Sequence, residues 1–368
     1  MLRLAKKAQS RERAKMKRII YISTVNRHLS EEEIESIGQI SARNNSGVGI
    51  TGVLISVHDY FFQVLEGDED AIAQVIERIR RDPRHKDMHI LKAETEITER
   101  HFPKWSMRTI RLAGSGDIIL QAIRDMLQNI AQSHRVIERY TQPSVLKFLT
   151  EGVNPLTVLP RKTDKIVLFC DMVGFSYLSD MFPVEQVAEV VNAFLEVCST
   201  TIADHGGVVA KYVGDCTIAY FEQGQSDSAI SACLDVLRRV GEMRGNNHDC
   251  HLMKFLYCGL GVAAGTVIEG NFGSSVKMDY TVLGGTVNMA ARLEALTRQI
   301  AKPLAMSESV MQGAQENWAF VHVGDFQLKG AGKSCPVYSL NDPLMDDFKD
   351  HSHLIEDMRQ ACGNQVHE

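Results

Sequence analysis

Near the start of the chain, the hydrophobic and polar positions first alternate every two residues and then repeat with the period of a helix. The segment KRIIYIS (17–23) has a period of two residues, which predicts a strand whose inner face includes Tyr21. Ser30 and Glu33 match a helix capping box, and helical periodicity then continues to about Asn45, which lies on the inner face of the predicted helix. A strand and a helix therefore open this part of the chain.

Strands and one more helix complete this first region. Two strand-like segments follow the first helix, an amphipathic helix then ends at Asp82-Pro83, and two more strand-like segments come after it. The four segments are TGVLISV, YFFQVLEG, HILKAETEI and FPKWSMRTIRL. The order βαββαββ over about 95 residues is typical of a small ferredoxin-like α+β domain.

A second region with a similar pattern follows. Residues 118–149 have helical periodicity, and EGVNPLTVLPRK (151–162) contains the glycine and prolines of a connector. A βαββαβ pattern then runs from Ile166 to about Leu340. We therefore predict an α+β protein with two ferredoxin-like domains joined by a helical coupler. The predicted parts are a basic, disordered leader (1–15), the first domain (16–112), the coupler and linker (113–160), the second domain (161–340) and an unassigned tail (341–368).

Composition and charge narrow the class of protein. The 368 residues are 44% hydrophobic and 23% charged, which is typical of a soluble protein with two domains. The net charge of -6 argues against a broad nucleic-acid surface, and no apolar run approaches the roughly 20 residues of a membrane span. The eight cysteines contain no CxxC pair, which favours a reducing compartment. We therefore expect a cytoplasmic protein.

Polar residues occupy inward positions of the first domain. Gln63 shares a strand face with Phe61 and Leu65, and Tyr21 and Asn45 also point inward. Buried polar groups need hydrogen-bond partners. Two interpretations remain open from the spacing alone, namely a structural polar network and a ligand site.

Two acidic residues of the second domain fall at strand ends. Asp171 ends the strand of IVLFCDMVGFS (166–176), and Asp215 lies at the bend of the predicted hairpin VVAKYVGDCTIAYF (208–221). Each could simply mark a turn. If they lie together, however, their charges repel unless a cation separates them, and Mg²⁺ prefers such carboxylates together with water and phosphate oxygens.

A third segment adds groups suited to phosphate chemistry. LGGTVNMAARLEALTRQ (283–299) passes from glycines into a helix, where Asn288 and Arg292 are one turn apart on the same face. Arginine binds phosphate well and asparagine can orient a hydroxyl group. A solvated surface position is the plain alternative for Arg292.

Together, the motifs FxDxxGFS, GGxxxKxxGDxxxAxF and TVLGxxVNxAARLE resemble the class III nucleotidyl cyclases over nearly all of residues 160–340. The resemblance implies Mg²⁺ or Mn²⁺ and a homodimer with composite active sites between two copies. It also implies a role for eight positions: metal binding by Asp171, Asp215 and the Met172 carbonyl, transition-state stabilisation by Asn288 and Arg292, base recognition by Lys211 and Thr281, and phosphate binding by Lys329. Because a lysine donor and a threonine acceptor suit adenine, we expect ATP as the substrate.

The first domain resembles the BLUF family of flavin-binding blue-light sensors. The matching motifs over residues 17–112 are SxxNN, ITGVL, FFQVLEG, DPRH and FPxWSM. The resemblance implies a bound flavin (FAD, FMN or riboflavin) and light-driven electron and proton transfer from Tyr21. It assigns photoactive positions to Tyr21, Gln63, Trp105 and Met107, a flavin-contacting amide to Asn45, and flavin contacts to Asn44, Arg84 and His85.

A BLUF domain followed by a cyclase domain resembles the bacterial photoactivated adenylyl cyclases. The resemblance implies an enzyme that converts ATP to 3′,5′-cyclic AMP and pyrophosphate in blue light. Two alternatives stay open: a guanylyl cyclase, and a flavin sensor without enzymatic activity whose second domain is degenerate. Turnover of ATP and of GTP distinguishes all three.

Overall fold

The computed structural model describes residues 16–26, 29–57, 59–111, 118–245, 251–327, 334–348 and 351–365. The chain divides into two compact units, residues 1–157 and 158–368. The predicted basic leader (1–15) lies outside the described residues. In the part of the chain that is described, no helix is both long and apolar enough to cross a membrane.

The first unit has the predicted βαββαββ order, followed by two helices. Its elements are β1 (Met16–Val25), α1 (Glu31–Gly47), β2 (Thr51–Val57), β3 (Tyr60–Asp68), α2 (Glu69–Arg80), β4 (His85–Glu94), β5 (Arg108–Arg111), α3 (Ile118–Tyr140), α4 (Pro143–Glu151) and a 3-10 turn (Pro155–Thr157). The strands form one sheet in the order β4-β1-β3-β2-β5. The predicted ferredoxin-like α+β fold is confirmed.

The sheet of the first unit is covered on both faces. Tyr21 and Phe61 lie on one face in the core that also includes buried residues of α1 and α2. Leu127 and Ala131 of α3 pack against the opposite face, where Ile22 of β1 is fully buried. The alternation of β1 thus separates a core face from a face that holds the coupler helix.

Local sequence explains where these helices begin and end. The predicted capping box is present, because the Ser30 side chain accepts from the Glu33 amide and the Glu33 side chain accepts from the Ser30 amide. The helical segment predicted over 118–149 is two helices, α3 and α4. Pro143 stands at the first turn of α4, where its missing N–H costs no hydrogen bond, whereas the same ring would break a continuous helix.

The second unit contains a larger mixed sheet with helices on both faces. Its elements are β6 (Arg161–Met172), α5 (Phe175–Met181), α6 (Val184–Asp204), β7 (Val208–Val213), β8 (Cys216–Glu222), α7 (Ser226–Gly245), a 3-10 turn (His251–Phe255), β9 (Cys258–Gly273), β10 (Met278–Leu283), α8 (Gly285–Ile300), β11 (Leu304–Ser307), α9 (Glu308–Gly313), β12 (Phe320–Phe326), β13 (Cys335–Leu340), a 3-10 turn (Pro343–Met345) and α10 (His351–Gln365). The described strands follow the order β12-β13-β11-β9-β6-β8-β7, and β10 pairs with β9.

Helix α8 approaches the centre of this sheet closely. A Cβ atom added to Gly261 of β9 would lie 2.2 Å from both the Ala290 carbonyl oxygen and the Glu294 amide nitrogen of α8. Only glycine therefore permits this contact. The close approach brings the C-terminal half of α8 to the strand ends at which Asp171 lies.

The tail, unassigned from the sequence, contains helix α10. Leu354 and Met358 of α10 are buried in the core of the second unit, and both side chains lie near Gly174, the residue before α5. The described part of the tail therefore packs onto the second unit beside the end of β6.

Candidate functional site

The first site is a hydrogen-bonded chain on the core face of the first sheet. Tyr21 and Gln63 are cross-strand partners on β1 and β3, and the Tyr21 hydroxyl donates to Gln63 Oε1. Gln63 Nε2 donates to the Met107 sulfur over 3.3 Å. All three side chains are buried, and burial raises the pKa of the Tyr21 phenol, so it is neutral. The predicted inward positions of Tyr21 and Gln63 are confirmed.

Other predicted flavin contacts lie around this chain. Asn45 is buried at the end of α1 and its amide donates to the Ser106 carbonyl at 3.3 Å, whereas Asn44 is exposed. His85 Nδ1 lies 2.8 Å from Ser23 Oγ, and burial lowers the pKa of this imidazole to about 4, so it is neutral. Arg84 pairs with Asp82 just before β4.

Trp105 and Met107 have different surroundings. Met107 is buried and contacts Gln63, whereas Trp105 is half-buried, stacks on Phe102 with ring centroids 5.3 Å apart and lies under the Arg108 guanidinium. Of these two predicted photoactive residues, the structure therefore joins Met107, and not Trp105, to the Tyr21–Gln63 chain.

The segment that carries these residues is anchored by a buried carboxylate. Glu66 of β3 accepts from the amides of His101 and Phe102, both at 2.9 Å, and from Arg18 at 2.6 Å. Burial alone would raise the pKa of Glu66, but the two amides and the guanidinium outweigh it and hold this pKa below its usual value. Neither Glu66 nor Arg18 was singled out from the sequence, although both lie in strands of known alternation.

The residues of this unit fit a flavin. The amides of Gln63 and Asn45 and the His85 ring provide donors and acceptors on a face that is mostly apolar, which suits the nitrogen- and oxygen-bearing edge of an isoalloxazine ring. A cleft of about 690 Å³ also opens between α1 and residues 104–109, with Trp105 and Met107 in its wall.

The second site lies at the ends of β6 and β8. Cys170 of β6 pairs with Thr217 of β8, so Asp171 lies beside the turn of the β7–β8 hairpin. Gly214 takes up a φ of 63° in this turn, a conformation that favours glycine, and Asp215 follows it. The predicted hairpin is present, and it brings the two aspartates to one sheet edge.

Electrostatics favour a cation between these aspartates. Burial and the charge of Asp171 raise the pKa of Asp215 to about 7. The buried Oδ2 atom of Asp215 has no hydrogen-bond partner among the described residues. A carboxylate oxygen that is buried and unpaired, next to a second carboxylate and the Met172 carbonyl, matches the ligand set of Mg²⁺.

Two residues of this site were missed from the sequence. Arg298 of α8 donates to Asp171 at 2.8 Å and to the Met172 carbonyl at 3.4 Å, and it also pairs with Glu294 at 2.6 Å. Burial raises the pKa of Glu294 to about 7, against the opposing effect of Arg298. Glu294 and Arg298 are four residues apart, the usual spacing of an ion pair within a helix, so the sequence could have indicated their pairing. It gave no indication that Arg298 also contacts Asp171.

The aspartates line a cleft that the tail helps to close. Its volume is about 430 Å³, and Phe175 and Tyr177 of α5 and Ile355 of α10 contribute to its wall together with Asp171 and Asp215. Helix α10 is therefore part of the candidate site, which the sequence patterns did not indicate.

The other predicted cyclase residues lie elsewhere in the same unit. Asn288 and Arg292 line a separate cleft of about 470 Å³, together with residues of β9 and β13. Lys211 Nζ lies 3.8 Å from Asp279, two residues before the buried Thr281 on β10. Lys329 lies outside the described residues.

Two protein-family models match the chain. Residues 16–108 match BLUF domains, described as sensors of blue light using FAD. Residues 158–342, about half of the chain, match the adenylate and guanylate cyclase catalytic domain. The chain belongs to the adenylate and guanylate cyclase family. In this member a BLUF domain precedes the cyclase domain, which confirms the combination predicted from the motifs.

Several known proteins are similar to most of this chain. The solved structure of a bacterial light-regulated adenylyl cyclase is 40% identical, with a TM-score of 0.86 over 94% of this chain and 99% of that one. Photoactivated adenylate cyclase subunit beta of Euglena gracilis is 30% identical over 79% of this chain and 34% of its own length. Subunit alpha of the same organism is 29% identical, with 29% of its length covered. The chain thus spans about a third of the curated relatives it matches.

Proposed function

We propose that this protein is a blue-light-activated adenylyl cyclase that converts ATP to 3′,5′-cyclic AMP and pyrophosphate. The observation that supports this most is the similarity to a bacterial light-regulated adenylyl cyclase, which extends over 94% of this chain and 99% of that protein. The proposal assigns light absorption to a flavin in the first unit and nucleotide chemistry to the second.

In the second unit, Asp171, Asp215 and the Met172 carbonyl hold divalent metal. A bound Mg²⁺ would neutralise charge on the triphosphate and would favour ionisation of the ribose 3′-hydroxyl, whose oxygen attacks the α-phosphate in line and expels pyrophosphate. Arg292 donates charge-assisted hydrogen bonds to the phosphate oxygens on which charge develops, and Asn288 orients the ribose. Lys211 donates to the adenine ring nitrogen, and the Thr281 hydroxyl accepts from the exocyclic amine.

The two sets of residues support a homodimer. In one chain Asp171 and Asp215 line one cleft, whereas Asn288 and Arg292 line another. A single active site that uses both sets therefore takes the aspartates from one copy and the asparagine and arginine from a second copy. Two-fold symmetry then gives two equivalent sites per dimer.

In the first unit, Tyr21 is the residue that responds to the excited cofactor. A bound flavin would absorb the blue light and, once excited, would provide the acceptor for an electron and a proton. Tyr21 would supply both the electron and its hydroxyl proton to the flavin, and Gln63 would pass the proton on because Gln63 Oε1 accepts the hydrogen bond from the Tyr21 hydroxyl. Any rearrangement of the Gln63 amide changes the contact from Gln63 Nε2 to Met107, and Met107 lies next to β5. The signal leaves the flavin site through this contact.

The test is nucleotide turnover by the purified full-length protein with its flavin, in darkness and in blue light. With Mg²⁺ and ATP we expect cyclic AMP and pyrophosphate in equal amounts, formed faster in light. The matched control is Asp215→Asn, which should keep the flavin spectrum and lose turnover. Preference for GTP would make the protein a guanylyl cyclase, and no turnover of either nucleotide would leave a flavin sensor without enzymatic activity.

A further inference from the structure

Two histidines and a glutamate meet between the coupler helix and the first sheet, away from both sites described above. His89 lies on β4, and His134 and Glu138 lie one turn apart on α3. His89 Nδ1 is 2.8 Å from Glu138 Oε2, and His134 Nε2 is 3.6 Å from Glu138 Oε1. One ligand atom from each residue can be chosen such that all three lie within 4.8 Å of one another.

The placement of these groups is unusual for a packing seam. Leu127 and Ala131 form the apolar stripe of α3 that packs on the sheet, and the same stripe continues one turn further with His134 and then Glu138. His89 sits opposite on β4, paired with the fully buried Ile22. The seam between α3 and the sheet therefore changes from apolar to metal-ligating groups along its length.

His89 supplies a second, independent observation. The residue is only 8% exposed, yet neither of its ring nitrogens has an aligned hydrogen-bond partner within the described residues. Glu138 Oε2 is close to His89 Nδ1, but it does not lie in the direction that a hydrogen bond to this ring nitrogen requires. A buried imidazole without a partner costs free energy that a ligand in line with the ring nitrogen would recover.

The chemistry of the group selects the ligand. Two imidazoles and one carboxylate suit Zn²⁺ and related transition metals, whereas Mg²⁺ prefers oxygen ligands. The two rings are 5.5 Å apart between centroids and inclined by 61°, so their nitrogens can converge on one point without stacking. Small rotamer changes would bring the three atoms to the bond lengths of about 2.0–2.2 Å that Zn²⁺ requires.

We propose that His89, His134 and Glu138 form a binding site for Zn²⁺ or a similar divalent transition metal, with water as a further ligand. The ion links the C-terminal half of α3 to the edge strand β4. This site is independent of the flavin and of the cyclase aspartates, and it would exist whether or not the second unit turns over ATP. Bound metal would therefore fix α3, the helix that follows the BLUF sheet in the chain, against that sheet.

The test measures binding of Zn²⁺ to the full-length protein without an affinity tag. An excess of Mg²⁺ keeps the cyclase aspartates occupied, and Zn²⁺ is titrated calorimetrically against a competing chelator. We expect one ion per chain. His134→Gln and Glu138→Gln should each weaken binding by about 100-fold or more, because even the outer partners of metal ligands contribute about 10–100-fold.

A matched control separates this site from ordinary surface pairs. His322 lies 3.1 Å from Asp325 in a histidine–carboxylate pair that belongs to no group of three ligands in the described part of the chain. His322→Gln should leave Zn²⁺ binding unchanged. Co²⁺ bound at the proposed site should also give ligand-field absorption at wavelengths beyond the flavin bands, and the two α3 variants should lose it.

A structural readout completes the test. Bound Zn²⁺ should slow amide hydrogen exchange around His134 and Glu138 in the wild type and not in Glu138→Gln. The two helix variants change side chains that are 17% and 36% exposed, so the fold is expected to tolerate them even where His89→Gln does not. The proposal would be overturned if the wild type did not bind Zn²⁺ stoichiometrically. It would also be overturned if the double variant, His134→Gln with Glu138→Gln, bound Zn²⁺ with the same affinity as the wild type.

Discussion

Replacing Glu66 with glutamine tests how the first unit holds the segment that carries Met107. Glu66 is fully buried and accepts three hydrogen bonds, from Arg18 and from the amides of His101 and Phe102. Glu66→Gln keeps the shape of the side chain and removes its charge. It also replaces one acceptor oxygen by an NH₂ group, which faces a backbone donor.

The expected loss of stability follows from these contacts. Breaking a buried ion pair from one side costs about 3–5 kcal/mol, and a buried donor left unpaired costs about 1–3 kcal/mol. Glu94 still lies 2.7 Å from Arg18, which offsets part of the loss. We therefore expect the free energy of unfolding of the first unit to fall by about 3–5 kcal/mol. Because its pKa is lowered on folding, Glu66 stabilises this unit above the unfolded pKa of about 4.3, and this contribution disappears as pH falls through the lower folded value.

Urea unfolding, monitored by the release of flavin, measures this loss of stability in the first unit alone. A signal specific to one unit is needed because a chain of two units does not unfold in one step. Glu69→Gln is the control, because Glu69 pairs with Lys17 at 3.3 Å while 43% exposed, and such a pair contributes about 0–1 kcal/mol. The difference between wild type and Glu66→Gln should shrink below about pH 4. A loss no larger than that of the control, or a difference that does not change with pH, would refute the reasoning.

Three further outcomes test the proposed sites. Tyr21→Phe should keep the protein yellow and remove the light-induced spectral shift and light activation; normal photoactivation would contradict the role of the phenol. Lys211→Glu combined with Thr281→Gly should move specificity to GTP, since each mismatched pair costs about 1–3 kcal/mol, and an active variant that still prefers ATP would mean that the base is recognised elsewhere. Asp171→Ala and Arg292→Ala should each be inactive alone, yet a heterodimer purified with two tags should regain activity in one of its two sites. An inactive heterodimer would place the active site within one chain.

Much of the fold could be predicted because short-range patterns determine it. The alternation in β1 and β3 predicts that Tyr21 and Gln63 point inward, and cross-strand pairing then makes them neighbours. The Gly214 turn likewise predicts the bend at Asp215. The break between α3 and α4 was not predicted, because Pro143 is equally compatible with the first turn of a helix and with a helix end.

The missed residues depend on long-range packing. Arg298 lies 127 positions after Asp171 and reaches it only because glycine in β9 lets α8 lie close to the sheet. Ile355 enters the same cleft because Leu354 and Met358 anchor α10 in the core, and a helix with so weak an apolar pattern gives no such signal on its own. Patterns within one element cannot reveal contacts that two distant elements create together.

The charges around Asp171 and Asp215, the proposed metal ligands of the cyclase unit, explain the position of Arg298. Three carboxylates, Asp171, Asp215 and Glu294, converge on this edge of the sheet, and Arg298 is the guanidinium that bonds two of them. One positive charge does not balance three negative ones, and burial together with the charge of Asp171 raises the pKa values of Asp215 and Glu294 to about 7. A single divalent cation would supply the two missing charges. The Arg298 guanidinium can then keep its contact with Glu294 while the metal replaces it beside Asp171. The folded chain therefore has the carboxylates of the metal site in position before the ion binds.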